Sequence, residues 1–441
     1  MPRANRLHIS HRRMAHAKTI GLGMLFFAAV TLLAALPAAA VTKVTVEQLE
    51  QIVAGYHELA DNDAAQRLSG LELSERMIKP RFERLNAALP GDKARLALLA
   101  LADSSAFLNL PQADLLKLPA PDVAAQGHMV SQAADFVVET VSRMPDFLAA
   151  ETTTRFEDMK NAPRMFDQLV VAEHQFNFQD REAVSVAFRN GREVKETPGS
   201  KKSTGVTYST GLTNWGVFGP LLGVVMADIL KGKIGWGHWE QGERGPLAVF
   251  RYAVPEDRAN YTVRYCCFRS DRGEMRQFEA VPAYHGEIAI DPESGAVMRL
   301  VLKMDLQPEL PMQRADQEVE YGAVEIGGKT YICPVRSISI TSAEALVFHG
   351  YTIYADKKGQ PDPGGKLKHT ERTNQQPHVT AINNVTFDHY HQFRGEVRML
   401  AGDGADSDAG AAAGPASQPA PSPVPGPEPA PAPPAGAHPP I

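Results

Sequence analysis

Apolar positions along residues 41–145 recur every three or four residues, which is the spacing of helices that bury one face. Thr45 and Gln48 form a capping-box pattern, and an apolar stripe begins at Leu49. Further helices are predicted over Leu73–Leu89, Lys93–Leu108 and Ala124–Met144. The pattern therefore predicts a helical module over residues 41–145.

After Pro145 the apolar period changes to two, the spacing of strands in an antiparallel sheet. Turn residues predict hairpins at Asn190–Gly191, Pro255–Arg258, Asp291–Gly295 and Gly327–Gly328. Closing strands are predicted over Phe348–Tyr354 and Val385–Met399. Residues 146–400 are thus predicted to form a large curved antiparallel sheet, an unclosed β-barrel, and the predicted fold class is α+β.

One apolar segment interrupts the strand pattern near residues 220–231. Pro220 suits the first turn of a helix, and the residues after it are apolar on nearly every side. Such a helix must be covered, so we expect it against the concave side of the sheet, either as a plain core helix or as a lid over an apolar pocket. The ligand-binding candidates are residues of this helix and the three tryptophans that bracket it: Leu221, Leu222, Val225, Met226, Ile229, Trp215, Trp236 and Trp239.

The two ends of the chain differ in composition from the rest. Basic residues precede an apolar run of 17 residues, Ile20–Leu36, and small residues follow at Ala38–Ala40, which is the order of a cleavable signal peptide. The run is shorter than the roughly 20 residues of a membrane-spanning helix. We therefore predict a signal peptide at residues 1–40, a periplasmic or secreted location, and a mature protein that is not integral to the membrane. Residues 401–441 hold 12 of the 33 prolines and predict a disordered Pro/Ala-rich tail.

Composition and charge narrow the range of partners. The chain has 441 residues, 44% of them hydrophobic, with 45 Lys+Arg against 51 Asp+Glu and a formal net charge of −6. It can bury cores of ordinary size, but it has no basic block beyond the first twenty residues that would neutralise phosphates. We expect no nucleic-acid partner.

Export would place the three cysteines in an oxidising compartment, where thiols pair. Cys266 and Cys267 are adjacent and point to opposite faces of a strand, so only one of them can share a side with Cys333. The pattern favours a disulfide of Cys267, or of Cys266, with Cys333. The alternative is three buried free thiols.

Candidate chemistry is limited to a few histidines. His389 and His391 stand two apart on a predicted strand and could share a metal, although packed or surface histidines explain the same spacing. His238 and His285 each precede a glutamate by two residues, which could orient an imidazole as a general base. No motif of a serine hydrolase, zinc protease or nucleotide-binding enzyme occurs. We predict a non-enzymatic protein with no cofactor and no metal.

One stretch of the sheet region resembles a known family. Gly286–Leu300, followed by Val319–Tyr321 and Tyr331–Val335, resembles the strand–turn–strand rhythm of periplasmic lipoprotein-carrier proteins and outer-membrane lipoprotein-sorting domains. It is also similar to uncharacterised exported bacterial proteins that join an N-terminal helical region to such a sheet. The resemblance implies a curved, unclosed barrel whose concave apolar face carries acyl chains under a helical lid. It carries over no individual lipid-contacting residue.

These observations leave two non-enzymatic functions and one enzymatic alternative. The first is binding of a lipid or other apolar ligand on the concave face, with the helix near residues 220–231 as the lid. The second is a structural or protein-binding component of the cell envelope that holds no small ligand. The enzymatic alternative is a hydrolase or metal enzyme that uses His238, His285 or the pair His389 and His391.

Overall fold

The structure is a computed structural model that describes residues 41–159, 175–196, 211–212, 216–269, 275–344 and 378–392. Several predicted features lie outside the described residues. These are the signal peptide at 1–40, the tail at 401–441, Trp215, the strand Phe348–Tyr354 and the side chain of Cys267.

Residues 42–143 form five α-helices and two short strands that pair in parallel. The strands are β1 (Thr42–Val44) and β2 (Leu71–Leu73), and the helices are α1 (Val46–Val53), α2 (Asp61–Ser69), α3 (Lys79–Ala88), α4 (Asp92–Ser104) and α5 (Val123–Arg143). The predicted capping box is confirmed, because the Gln48 amide donates to Thr45 Oγ1 at 3.1 Å and the Thr45 amide donates to Gln48 Oε1 at 2.9 Å. Helices α1, α2 and α4 bury a shared core that includes Leu49, Leu68 and Leu98.

The helix predicted from Leu73 begins six residues later, at Lys79. Leu73 pairs with Val44 in the two-stranded sheet, and the Ser74 amide donates to the Val44 carbonyl. Pro80 then occupies the first turn of α3, where its missing amide hydrogen costs no hydrogen bond. The long-range strand pair therefore overrides the local helical pattern.

Ten strands form one unclosed antiparallel sheet in the order β5-β4-β3-β15-β14-β13-β12-β11-β8-β7. Their bounds are β3 (Phe147–Met159), β4 (Asn177–Arg189), β5 (Arg192–Glu196), β7 (Lys233–Gln241), β8 (Pro246–Val254), β11 (Tyr284–Ile290), β12 (Val297–Met304), β13 (Met312–Ile326), β14 (Lys329–Glu344) and β15 (His378–Gln392). A smaller sheet contains β6 (Gly211–Leu212), β9 (Val263–Arg269) and β10 (Met275–Ala280). Helix α6 (Pro220–Ile229) begins at the predicted proline.

Three predicted hairpins are confirmed, and one is wrong. Asn190 and Gly191 have positive φ of 51° and 72° between β4 and β5, as a tight hairpin turn requires. The turns between β11 and β12 and between β13 and β14 also form as predicted. Strands β8 and β9 do not pair, since β8 lies between β7 and β11 and β9 lies between β6 and β10. Asn260, in the connection between β8 and β9, is bonded instead to Asp228 of α6, so the chain leaves the large sheet there.

The two faces of the large sheet are covered by different helices. Alternation along β12 sends Leu300 and Leu302 to the side that packs with α5 and α6, which we call the α6 face. It sends Val301 to the opposite side, which packs with residues of α4 and with Phe107 and is called the α4 face.

Candidate functional site

Helix α6 lies in the apolar core of the α6 face. The predicted ligand-binding residues Leu221, Leu222, Val225, Met226 and Ile229 are all at most 5% exposed. They cluster with residues of the strands and with Ala133 and Val137 of α5. Val224, on the other side of the helix, is 36% exposed.

A cavity of about 10 Å³ remains between α5, α6 and the sheet. Its lining includes Phe136, Met144, Leu222, Val297 and Tyr321. That volume matches about one water molecule and is far smaller than an acyl chain. The packing of α6 therefore leaves no room for an acyl chain between the helix and the strands.

The two ends of α6 are attached in different ways. Near its C-terminal end, the fully buried Asp228 accepts hydrogen bonds from the Asn260 amide at 2.7 Å, from Asn260 Nδ2 at 2.6 Å and from the Tyr284 hydroxyl at 2.9 Å. Burial and the adjacent Asp228 carboxylate raise the pKa of Tyr284 well above its ordinary value of 10. The sequence pattern did not identify Asp228 as an anchor.

At the N-terminal end, α6 follows a glycine-containing turn. Gly216 has a φ of 81°, a conformation that other residues rarely adopt, and its amide donates to Glu193 Oε2 at 2.8 Å. Gly219 precedes the helix and supplies no side-chain cap. The N-terminal end thus follows a hydrogen-bonded glycine turn and the buried ring of Phe218, whereas three hydrogen bonds of Asp228 hold the other end.

Trp236 and Trp239 lie away from that cavity, on the edge strand β7. Their ring centroids are 5.1 Å apart in an edge-to-face arrangement, and both rings are partly buried. Together with the segment Leu115–Leu118 they border a cleft of about 290 Å³. Trp236 and Trp239 therefore pack against the same apolar core as α6 but line this cleft rather than the cavity beneath the helix.

A buried cluster of charges occupies the α4 face. Glu240 lies 2.7 Å from Arg76 and 2.6 Å from Arg299. Arg299 also lies 3.3 Å from Glu287 and 3.5 Å from Glu318. Although burial alone would raise it, the Arg299 and Arg76 guanidiniums hold the pKa of Glu240 well below its usual range. Burial raises the pKa of Glu318 from 4.5 to about 7, because Arg299 and Arg76 compensate this more distant carboxylate incompletely.

A second polar cluster joins α4 to the sheet. Asp103, fully buried on α4, accepts hydrogen bonds from Arg336 and, at 2.8 Å, from Asn384. Arg336 also pairs with Glu320 at 3.2 Å. Burial raises the pKa of Asp103 to about 6, against the opposing effect of Arg336. In the sequence, the charged strand residues of these clusters alternate with apolar residues, as they do on a strand face that is exposed to solvent. We therefore did not predict that these charged side chains are buried.

The candidate histidines lie in three separate parts of the structure. His238 Nε2 lies 3.7 Å from Glu240, which is occupied by two arginines, and His285 Nδ1 lies 3.1 Å from Asp305 rather than beside Glu287. His389 has a φ of 51° at an irregular point of β15, so simple alternation does not set the direction of His389 and His391. In the described ranges, no three His, Cys, Asp or Glu side chains are placed to hold a metal ion.

The predicted disulfide to Cys333 is wrong. Cys333 is a free thiol, fully buried in the α6 face, and its Sγ lies 3.9 Å from Met144 Sδ at the end of α5. Burial raises the pKa of the Cys333 thiol from 9.0 to about 12. Strand alternation alone does not determine which strands are neighbours, and β9, which carries Cys266, belongs to the smaller sheet rather than next to β14.

Comparisons with known proteins found no relative of this chain. No family model matches the chain, and no curated protein or solved structure matches it. None of the helices in the described part of the chain combines the length and hydrophobicity that crossing a bilayer requires.

Proposed function

We propose that this chain is an exported, non-enzymatic protein that binds a lipid or another ligand with an acyl chain. The ligand would occupy the α6 face, as the concave face of a curved, carrier-like sheet. The observation that carries the proposal is α6 itself, a ten-residue helix that buries five large apolar side chains against this face.

The attachment of α6 supports an exchange between helix and ligand. The helix contacts the strands through apolar side chains, and hydrophobic burial is non-directional and proportional to area. An acyl chain could therefore take the place of α6 against the strands, provided that the helix packs its own apolar side chains over the ligand as a lid. In this exchange the three hydrogen bonds of Asp228 would keep the C-terminal end of α6 in place, while the turn at Gly216 and the buried Phe218 would have to move.

Native mass spectrometry of protein purified without detergent from its own envelope tests this function. We expect additional mass that dissociates as lipid, and uptake of palmitate by lipid-free protein. Replacing Leu222 and Val225 with Asp should abolish retention, whereas Val224→Asp, on the exposed side of α6, should retain the ligand. Asp228→Asn weakens the anchor and should accelerate palmitate uptake, and an unchanged circular dichroism spectrum would separate this effect from misfolding. Absence of palmitate uptake by all folded variants would refute the function.

A second candidate is a structural or protein-binding envelope component without a small ligand. The observation that favours it is the cavity of only about 10 Å³ beneath α6, which leaves the α6 face filled by the chain itself. A bare polypeptide mass together with a stable crosslinked envelope partner would support this candidate.

A further inference from the structure

The structure contains a second cleft, at the edge of the large sheet, that does not depend on any movement of α6. It lies between β7 and the segment Leu115–Ala120, and we call it the edge cleft. We propose that the edge cleft binds a small amphipathic carboxylate, with an apolar ring or short chain as its body.

The volume and lining of the edge cleft suit a compact amphipathic molecule. Its volume is about 290 Å³, near the lower end of small-molecule sites. Its lining combines the apolar side chains of Leu115, Leu116, Leu118, Trp236 and Trp239 with the polar side chains of Gln112, Lys117 and His238. The apolar side chains provide the burial on which binding of a compact ring would depend.

Two contacts fix the indole rings before any ligand binds. Trp236 packs edge-to-face on Phe250, with ring centroids 5.5 Å apart. Trp239 Nε1 donates to the Pro119 carbonyl at 2.8 Å, and the Leu116 amide donates to the Trp239 carbonyl at 3.4 Å. Since these contacts hold ring and segment together, ligand binding costs little ordering entropy.

A β-bulge at Gly237 creates this arrangement. The pairing of β7 with β8 shifts between Trp236 and His238, so Trp236 and Trp239 share one side of the strand although they are three residues apart. Only glycine fits at position 237, because an added Cβ would lie 2.9 Å from the Val249 carbonyl oxygen. In a regular strand the two tryptophans would lie on opposite faces.

The charges around the edge cleft favour an anion. Lys117 lines it, is exposed, and makes no ion pair or side-chain hydrogen bond with the part of the chain that the structure describes. No carboxylate is among the described lining residues. The nearest acidic partner of His238, Glu240, is engaged by Arg76 and Arg299. A ligand carboxylate can therefore pair with Lys117 without competing with a protein carboxylate.

Titration calorimetry with 2-naphthoate, and with neutral 2-naphthalenemethanol as a matched probe, tests the proposal. We expect saturable binding of naphthoate, with the neutral probe about fivefold weaker, because the ion pair with Lys117 is exposed to water. Lys117→Gln should weaken naphthoate by a similar factor and leave the neutral probe unchanged. Lys43→Gln, a surface lysine outside the cleft, is the control and should change neither.

Leu118→Asp provides the second variant. Leu118 is 47% exposed, so the substitution should leave the fold intact while it places a negative charge in the edge cleft. Naphthoate binding should fall by at least about tenfold. Binding that is unchanged in Leu118→Asp, or equal affinity for the charged and neutral probes, would overturn the proposal.

Discussion

The two faces of the ten-stranded sheet are covered by helices through opposite chemistry. On the α6 face the cover is apolar, with residues such as Val225 and Ile229 packed on the strands. On the α4 face the cover relies on buried charges, with Arg76 and Asp103 bound to partners on the strands. A small apolar cluster around Phe107 and Val301 completes the second contact.

This difference indicates which cover can move. Apolar contact is non-directional, so other apolar groups can replace the part of α6 before Asp228, whose hydrogen bonds hold the C-terminal end. A buried ion pair cannot be replaced by apolar groups in this way, because removing one partner leaves the other charge buried and uncompensated. We therefore expect ligand exchange on the α6 face and a permanent attachment on the α4 face.

The largest loss of stability should come from a charged side chain introduced at a buried apolar position of α6. Val225→Asp places a carboxylate at a fully buried position of α6 and should lower the free energy of unfolding by about 4 kcal/mol or more. Urea unfolding measures it. The neighbouring Val224→Asp should cost less than about 1 kcal/mol, and equal costs for the two variants would show that α6 is not packed as described.

The next largest loss of stability is expected for the buried charges on the α4 face. Arg299→Met leaves Glu240, Glu287 and Glu318 without their shared partner and should cost about 3–5 kcal/mol in the same assay. Arg251, which pairs with Glu287 through an exposed side chain, is the control, and its replacement by Met should cost less than about 1 kcal/mol. A cost for Arg299→Met as small as that of the control would contradict a buried network.

The charged face also predicts a dependence of stability on pH. The raised pKa values of Glu318 and Asp103 mean that the folded protein holds protons that the unfolded chain has released. Stability from these groups is therefore present at low pH and is lost as the pH rises through about 6 to 7. We expect the free energy of unfolding to fall by a few kcal/mol between about pH 5 and pH 8, and Glu318→Gln to flatten that slope. If Glu318→Gln leaves the slope unchanged, groups other than Glu318 cause the pH dependence of stability.

The last prediction concerns how strongly the packed α6 face protects a buried thiol from a reagent, and it involves no change in stability. Cys333 is buried beneath Met144 of the α5 end, so maleimide labelling at Cys333, read by peptide mass spectrometry, should be at least about 100-fold slower in the native protein than in urea. Bound palmitate should accelerate the labelling if the helices move away from Cys333. Rapid labelling in the absence of ligand would contradict a closed α6 face.

The sequence predicts local features better than long-range ones. The Thr45 cap, the Asn190–Gly191 turn and the helix after Pro220 depend on neighbouring residues, and all three form as predicted. The insertion of β15 between β3 and β14 joins segments more than 200 residues apart, and no local pattern encodes it. The same holds for the candidate site, because Asp228 acquires its role only through Tyr284 and Asn260.

Hydrogen exchange of α6 with and without palmitate shows whether the ligand displaces the helix from the sheet. Peptides covering Gly219–Gly232 should exchange slowly in lipid-free protein, because α6 is packed on the sheet. With palmitate bound, the account predicts faster exchange in α6 while β12 and β13 keep their protection. Unchanged or slower exchange of α6 in palmitate-bound protein would contradict displacement of the helix.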